Sequence, residues 1–235
     1  MTSKEVMSEL KKLGTEQTRK IWKSHGVKGD FFGVNIGAMK VIQKKIKHDH
    51  ALALELFDTK NADAMYFAGL ISEPEKMSKA ELQHWAEIGE WQMLSEYVVA
   101  WAASESKHGH ELALKWMKSK QEHVAAAGWS TYSCLLALKK DEELDLKEIE
   151  LLLENVKKTI HPMPDRVKKT MNGFVIAVGS YVKPLNKKAK EIAKAIGEVT
   201  VISEGAACKV ADAITYIEKT ESRGKLGQKK KTVFC

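Results

Sequence analysis

Start and stop signals for α-helices recur along this chain at short intervals. Thr2 and Glu5 have the spacing of a capping box, and Ser78 and Glu81 repeat it. A glycine closes each of these two segments, as is common just beyond the end of a helix. Asp145 opens a third segment in the same manner, with a glutamate three positions later. A chain with this many helix boundaries is constrained to a fold of many short helices.

Apolar residues recur at helical spacing in about a dozen segments. Only four prolines occur among the 235 residues, which leaves long stretches free to be helical. One short run, EVTVIS, has the composition of a β-strand, and its place between two helices favours an extended connector. The predicted helices are TSKEVMSELKKLG, GAMKVIQKKIK, HALALELFD, ADAMYFAGLI, SKAELQHWAEIG, EWQMLSEYVVAWAAS, HELALKWMKSK, HVAAAGWSTYSCLLALKK, DLKEIELLLENVKKTI, RVKKTMNGFVIAVGSYVKP, PLNKKAKEIAKAIG and KVADAITYIEKT.

The connections between these segments are mostly about two to six residues long, which makes consecutive helices antiparallel neighbours. A pair of such helices occupies roughly 35–40 residues, a length typical of HEAT and armadillo repeats. We therefore predict an all-α fold, an α-α superhelix of the HEAT or armadillo type, with a single domain over residues 1–221. A compact helical bundle is the alternative, because no sharp repeated motif is present.

The C-terminal residues 222–235 read SRGKLGQKKKTVFC and include five basic residues, two glycines and no acidic residue. A segment of this composition cannot bury an apolar core. We predict a basic tail that is mobile or laid along a partner.

Basic charge is concentrated in the C-terminal third of the chain. The formal net charge is +7, yet residues 1–150 carry 21 Lys and Arg against 23 Asp and Glu. Residues 151–235 carry 17 against 8. This asymmetry favours a polyanionic partner, nucleic acid before an anionic membrane surface. A role in solubility alone is the alternative.

Three cysteines, Cys134, Cys208 and Cys235, lie far apart and form no CxxC motif. Their odd number argues against a disulfide framework and favours reduced thiols in the cytoplasm. The first residues lack the apolar stretch of a signal peptide, and no run of about 18 apolar residues occurs, so we expect no membrane partner.

Metal and nucleophilic chemistry find little support in the sequence. Two His-x-His pairs, His48 with His50 and His108 with His110, lie near predicted helix junctions without a third ligand at zinc-binding spacing. We interpret them as surface or capping histidines. No GxSxG, Walker A or GxGxxG motif is present, so we predict no metal and no cofactor.

Trp91 follows a predicted helix end and has acidic neighbours on both sides, including Glu96. A tryptophan at the mouth of a concave surface can stack on a base or a sugar. A position in the core is the alternative for Trp91, as for most tryptophans.

The segment from Arg166 to Pro184 combines a basic edge with glycine in a helical pattern. Arg166, Lys169 and Gly173 fall roughly along one line of the helix, and Lys168 and Asn172 along the next. A phosphodiester backbone could approach the side-chain-free position, with the cations supplying charge. The predicted DNA-binding set also includes two further lysines, Lys183 and Lys209.

Each glycine within a helix costs about 1 kcal/mol relative to alanine, so Gly173 and Gly179 call for an explanation. Bare backbone allows either a DNA strand or another helix to come close. Both explanations are open for Gly173, whereas helix packing is favoured for Gly179.

Three stretches resemble the DNA alkylation repair enzyme family, the HEAT-like-repeat DNA glycosylases. They are FFGVNIGAMKVIQKKIK, ALALELFDTKNADAMYFAGLI and VKKTMNGFVIAVGSYVKP, and the resemblance covers about residues 30–220. It implies an α-solenoid that binds duplex DNA in a basic concave groove. It also implies excision of alkylpurines such as 3-methyladenine and 7-methylguanine without a metal or cofactor.

The chain departs from the catalytic set that this resemblance implies, a Trp-x-x-x-Asp pair with a later Trp and Arg. Trp91 matches the first aromatic residue, but Ser95 stands four positions on and Glu96 one further. The arginine position falls near Gly128 and the later tryptophan position near Gly173. On an α-helix, one residue turns a side chain by about 100°, so Glu96 would point away from the expected direction.

We predict a DNA-binding protein of the DNA alkylation repair type, acting as a monomer. One hypothesis is an alkylpurine DNA glycosylase in which Trp91 and Glu96 are the catalytic residues. The alternatives are a non-catalytic binder of damaged or branched DNA and a helical-repeat scaffold for protein partners.

Overall fold

The computed structural model describes residues 1–202 and 210–234 of the chain. Within these ranges lie thirteen α-helices and no β-strand, with one isolated bridge between Gly14 and Val34. The helices are α1 (Ser3–Leu13), α2 (Glu16–Ser24), α3 (Ile36–Ile46), α4 (His50–Asp58), α5 (Ala62–Ile71), α6 (Lys79–Ile88), α7 (Ala100–Glu105), α8 (Gly109–Trp116), α9 (Glu122–Leu138), α10 (Leu146–Thr159), α11 (Asp165–Tyr181), α12 (Asn186–Ile196) and α13 (Ala213–Ser222). A π-helical segment, Leu94–Val99, leads directly into α7.

The helices pack in series. One row runs from α5 through the π-helical segment and α7 to α9, α11 and α13, and each member contacts the next. The helices α4, α8 and α12 pack against members of this row, each beside its neighbour in sequence. This arrangement confirms the predicted α-α superhelix.

The apolar core follows the same serial plan. One cluster of buried side chains occupies the N-terminal half of the chain, and a second occupies the C-terminal half. Helix α9 joins them, because Ala127 belongs to the first cluster and Trp129 to the second. All six tryptophans are buried and contribute mainly to this core.

The predicted helix caps are present. The capping boxes of Thr2 with Glu5 and of Ser78 with Glu81 both form, and Asp145 accepts the first backbone amides of α10. Each such cap stabilises its helix by about 1 kcal/mol. Helix α2 was not predicted, because Trp22 is its only buried residue and its remaining positions show no apolar stripe.

The FFGV motif forms a loop that is bound to the start of α5. The carboxylate of Asp63 is fully buried and accepts the backbone amides of Phe32, Gly33 and Val34. Gly33 has a φ of 79°, and a Cβ atom there would collide with Arg19. The FFGV motif therefore forms a sharp turn in which three successive backbone amides donate to the Asp63 carboxylate.

The C-terminal strap, residues 224–234, lies along the ends of the helices instead of forming a mobile arm. The amide of Gly227 donates to the Ser180 carbonyl at 2.9 Å, and the amide of Lys230 donates to the Ala137 carbonyl at 2.8 Å. Its last residues pack against the first apolar cluster. The strap has no signal in its sequence, because it binds through free carbonyls at the C-terminal ends of α11 and α9 and not through a core of its own.

The connector after α12 is extended up to Ile202, in agreement with the interpretation of EVTVIS as a non-strand segment. Its Ile202 amide donates to the Asp165 carboxylate at 2.6 Å, which ties the connector to the start of α11. Among the helices of residues 1–202 and 210–234, none is long and apolar enough to cross a membrane.

Candidate nucleic-acid interface

The start of α11 places Arg166 among acceptors from the π-helical region. Its Nε atom lies 3.0 Å from Glu96 Oε1, and its Nη1 atom donates to the Glu90 carbonyl at 2.7 Å. Its Nη2 atom donates to the Ser95 hydroxyl. The Arg166 backbone amide in turn donates to Glu122 at 2.9 Å. The guanidinium therefore connects α11 to the π-helical segment, and most of its hydrogen-bonding capacity is used within the protein.

The carboxylate of Glu96 is enclosed and paired with two cations. Its side chain is only 4% exposed. Besides Arg166, it pairs with Lys169, whose Nζ atom lies 3.4 Å from Oε2. Each carboxylate oxygen thus has a cationic partner on α11.

Trp91 lines the same cavity as Arg166 of this ion-pair cluster. Its indole nitrogen donates to the His25 carbonyl at 3.0 Å, and its ring centroid is 4.7 Å from that of Trp22. It lines a cavity of about 430 Å³ that we term the Trp91 cleft. The Trp91 cleft is lined by, among others, Lys28, Lys60, Trp91, Glu122, His123 and Arg166.

A second cavity, the Gly173 groove, measures about 360 Å³ and lies between the π-helical segment, α9, α11 and the C-terminal strap. Its lining includes Glu96, Tyr97, Lys169, Gly173, Tyr181 and Lys230. Glu96 lines this groove and Trp91 lines the Trp91 cleft, so the two predicted catalytic residues face different cavities.

The two glycines of α11 have different surroundings. A Cβ atom at Gly173 would meet nothing within 4 Å, so this position leaves space in the groove. A Cβ atom at Gly179 would lie 2.4 Å from a side-chain carbon of Ile217 on α13. Close helix packing, which was favoured for Gly179, is confirmed.

The other residues of the predicted DNA-binding set are spread around this region. Lys168 donates to Asp165 at 2.9 Å and lies 3.4 Å from the Thr200 carbonyl. Asn172 is buried, and its amide donates to the Ala211 carbonyl at 2.8 Å. These side chains tie the chain on either side of residues 203–209 to α11.

Lys183 is exposed at the C-terminal end of α11, whereas Lys209 lies outside the described residues. The hydrogen bond from Lys168 and the amide of Ile202 hold the pKa of the Asp165 carboxyl below its usual range.

The histidine pairs make separate contacts. The Nδ1 atom of His48 lies 3.3 Å from the Ser72 carbonyl, and His110 contacts Glu148 at 2.7 Å. Across residues 1–202 and 210–234, no group of three or more candidate ligands is placed to hold a metal ion.

Sequence reasoning missed Tyr97 and Lys230 as lining residues of the Gly173 groove. Tyr97 is 39% exposed on the π-helical segment, where an extra residue per turn alters the direction of side chains. Lys230 belongs to the basic run that the sequence marked, but its place in the groove depends on how the C-terminal strap folds back.

The serially packed helices define a HEAT-like α-solenoid. The family model described as DNA alkylation repair enzyme matches residues 6–217, and this chain belongs to that family. The resemblance found in the sequence is therefore confirmed.

Two curated relatives match nearly the whole chain, and a solved structure matches all of it. An uncharacterized protein of Listeria innocua is 33% identical over 229 residues, covering 95% of this chain and 99% of its own length. An uncharacterized protein of Listeria monocytogenes is 33% identical over 231 residues, covering 96% of this chain and 100% of its own. A solved structure is 44% identical with a TM-score of 0.91, covers 100% of both chains, and is described as "a new family of proteins related to the HEAT-like repeat DNA glycosylases with affinity for branched DNA structures".

Proposed function

We propose that this protein binds branched DNA at the Gly173 groove and does not excise alkylated bases. The similarity to a protein with affinity for branched DNA supports the first part, since it extends over the whole chain at 44% identity. The concentration of basic residues after residue 150 supports a polyanionic ligand.

The pairing of Glu96 is the observation that carries the second part. A glycosylase needs a carboxylate whose charge faces the sugar as positive charge develops there. Glu96 is 4% exposed, and both of its oxygens already face cations on α11. Trp91 cannot complete such a site, because it is buried beside Trp22 and lines the other cavity.

The geometry of a junction suits a short basic groove. Strands that exchange partners bend sharply, so phosphates from two arms lie close together and attract a local concentration of cations. We propose Lys169, whose side chain is 36% exposed, and the exposed Lys183 as phosphate contacts, with Lys209 as a further candidate. Arg166, Lys168 and Asn172 are proposed to hold α11 and the connector in position, and Gly173 to leave room for the strand.

Fluorescence anisotropy with a three-way junction, a four-way junction and a duplex of equal length tests the proposal. We expect binding to the junctions to be at least about tenfold tighter than binding to the duplex. We also expect the logarithm of the association constant to fall linearly with the logarithm of the salt concentration, a relation whose gradient we call the salt slope. Equal affinity for duplex and junctions would contradict branched-DNA recognition.

Base release from methylated duplex DNA, with the protein in excess, tests the absence of catalysis. We expect no release. Release that is lost in both Trp91→Ala and Glu96→Gln would instead establish a glycosylase.

A matched pair of variants tests the groove. Lys169→Gln removes a cation at the groove, and Lys187→Gln removes an exposed cation on α12 that does not line it. We expect the first variant to lower the salt slope by about 1 and the second to leave it nearly unchanged. Equal effects would indicate that only net charge matters.

A further inference from the structure

The first two of three consecutive lysines in the C-terminal strap have different surroundings. The Nζ atom of Lys229 donates to the Leu136 carbonyl and pairs with Asp141, both at 2.9 Å. The backbone amide of Lys230 donates to the Ala137 carbonyl, while its side chain is exposed. Lys229 therefore anchors the strap on the end of α9, and Lys230 extends from an anchored backbone.

The strap is also anchored beyond Lys230. Glu105, at the end of α7, accepts the Thr232 hydroxyl at 2.6 Å and the Val233 amide at 2.8 Å. The ring of Phe234 lies 5.7 Å from that of Trp101. A residue held from both sides loses little conformational freedom when it binds a ligand, which favours affinity.

Lys230 differs from the other lysine of the Gly173 groove in its charge balance. Lys169 is paired with Glu96, whereas Lys230 makes no ion pair within the described ranges. Its Nζ atom lies 6.0 Å from the centroid of the Tyr181 ring, and no carboxylate of residues 1–202 and 210–234 lies within 4.0 Å of it. An anion that enters the groove would meet this cation without displacing a carboxylate.

We infer that the C-terminal strap forms one rim of the DNA-binding groove and that Lys230 contacts a DNA phosphate there. This inference rests on the proposed binding of branched DNA and adds a contact that lies outside the helices. It also explains why the strap carries consecutive lysines, of which one anchors and one faces the groove.

Lys231 supplies the matched control, because it is exposed on the same strap and does not line the groove. We expect Lys230→Gln to weaken junction binding about fivefold and to lower the salt slope by about 1, with a much smaller effect for Lys231→Gln. Both side chains are exposed, so neither change should affect folding. Equal effects of the two variants, or unchanged binding by Lys230→Gln, would overturn the inference.

Glu105→Ala distinguishes an effect of net charge from an effect of strap anchoring, because the two predict opposite changes in DNA affinity. Removal of an acidic residue should strengthen DNA binding if net charge alone matters. Loss of the anchor beyond Lys230 should weaken it, because Lys230 is then held from one side only and loses more conformational freedom on binding. We expect weaker binding in a variant whose circular dichroism and thermal transition show a folded protein, and stronger binding would overturn the role of the strap.

Branched-DNA binding and the phosphate contact of Lys230 can be contradicted by different results. Wild-type protein that shows neither junction preference nor salt dependence would overturn the proposed function and this inference with it. Wild-type protein that binds junctions, together with a Lys230→Gln variant that binds equally well, would overturn the inference alone.

Discussion

Arg166 and Glu96, which lie 70 positions apart, form an ion pair with a 3.0 Å separation between Nε and Oε1. The pair joins the start of α11 to the π-helical segment, beside the start of α9, where Glu122 accepts the Arg166 amide. Glu96 lies one residue beyond Ser95, the position at which the family resemblance implies a catalytic carboxylate, and the pair gives its side chain a cationic partner within the protein.

Loss of Arg166 should therefore destabilise the protein. Arg166→Ala leaves a nearly buried carboxylate with Lys169 as its one cationic partner, and breaking such a pair typically costs 3–5 kcal/mol. Because Arg166 is 26% exposed, water offsets part of this cost, and we expect a loss of about 2 kcal/mol in the free energy of unfolding measured with urea.

A double variant separates this cause from lost packing. Glu96→Gln together with Arg166→Ala removes the buried charge, so it should lose less stability than the sum of the two single variants. Strictly additive losses would show that the ion pair does not couple the two residues.

Local signals predicted most of the helices because their causes are local. The capping boxes at Thr2 and Ser78 and the aspartate cap at Asp145 each involve residues within one turn of one another. Helix α2 was not predicted, because its apolar residues do not recur at helical spacing. The fold of the C-terminal strap could not be predicted, since its backbone and Lys229 donate to carbonyls that are 47 and 93 residues away.

The site was predicted less well than the fold, because it depends on where side chains point after the helices pack. The sequence marked both Trp91 and Glu96, but it could not show that they line different cavities. It indicated Arg166 as a DNA-binding cation. It could not show that Arg166 donates to Glu96 and Ser95, which lie on the π-helical segment. Ser95 and Glu96 belong to the π-helical segment, and the sequence carries no clear signal for that irregular geometry.

Asp63 provides a second stability test, on the FFGV loop. Asp63→Ala removes the acceptor of three backbone amides, and each buried donor without a partner costs about 1–3 kcal/mol. We expect a loss of at least about 3 kcal/mol by urea denaturation. Glu55→Gln, a change at an exposed acidic residue of α4, should stay within about 0.5 kcal/mol of the wild type. A comparable loss in both variants would contradict the role of the loop anchor.

Cys134 also lines the Gly173 groove, and we expect its thiol to react slowly. Burial raises the pKa of its thiol to about 12, so only a very small fraction is thiolate near pH 8. In a Cys208→Ser/Cys235→Ser variant, the rate with a chromogenic disulfide reagent should rise about tenfold per pH unit from pH 7 to pH 10. A rate that levels off near the ordinary cysteine pKa of about 8.5 would show an unperturbed thiol.

Alanine substitution at the two glycines of α11 should change stability in opposite directions. Gly173→Ala adds a methyl group where nothing lies within 4 Å, so the better helix propensity of alanine should stabilise the protein by up to about 1 kcal/mol. Gly179→Ala places a methyl group 2.4 Å from a carbon of Ile217, and such overpacking typically costs about 1–3 kcal/mol. Thermal unfolding of the two variants and the wild type measures both effects, and a shift in the same direction would refute one assignment.

Gly173→Leu extends the comparison from stability to function. The larger side chain should fill the Gly173 groove and weaken junction binding while the stability of the protein is kept. This result would show that Gly173 is needed for space at the surface and not for folding.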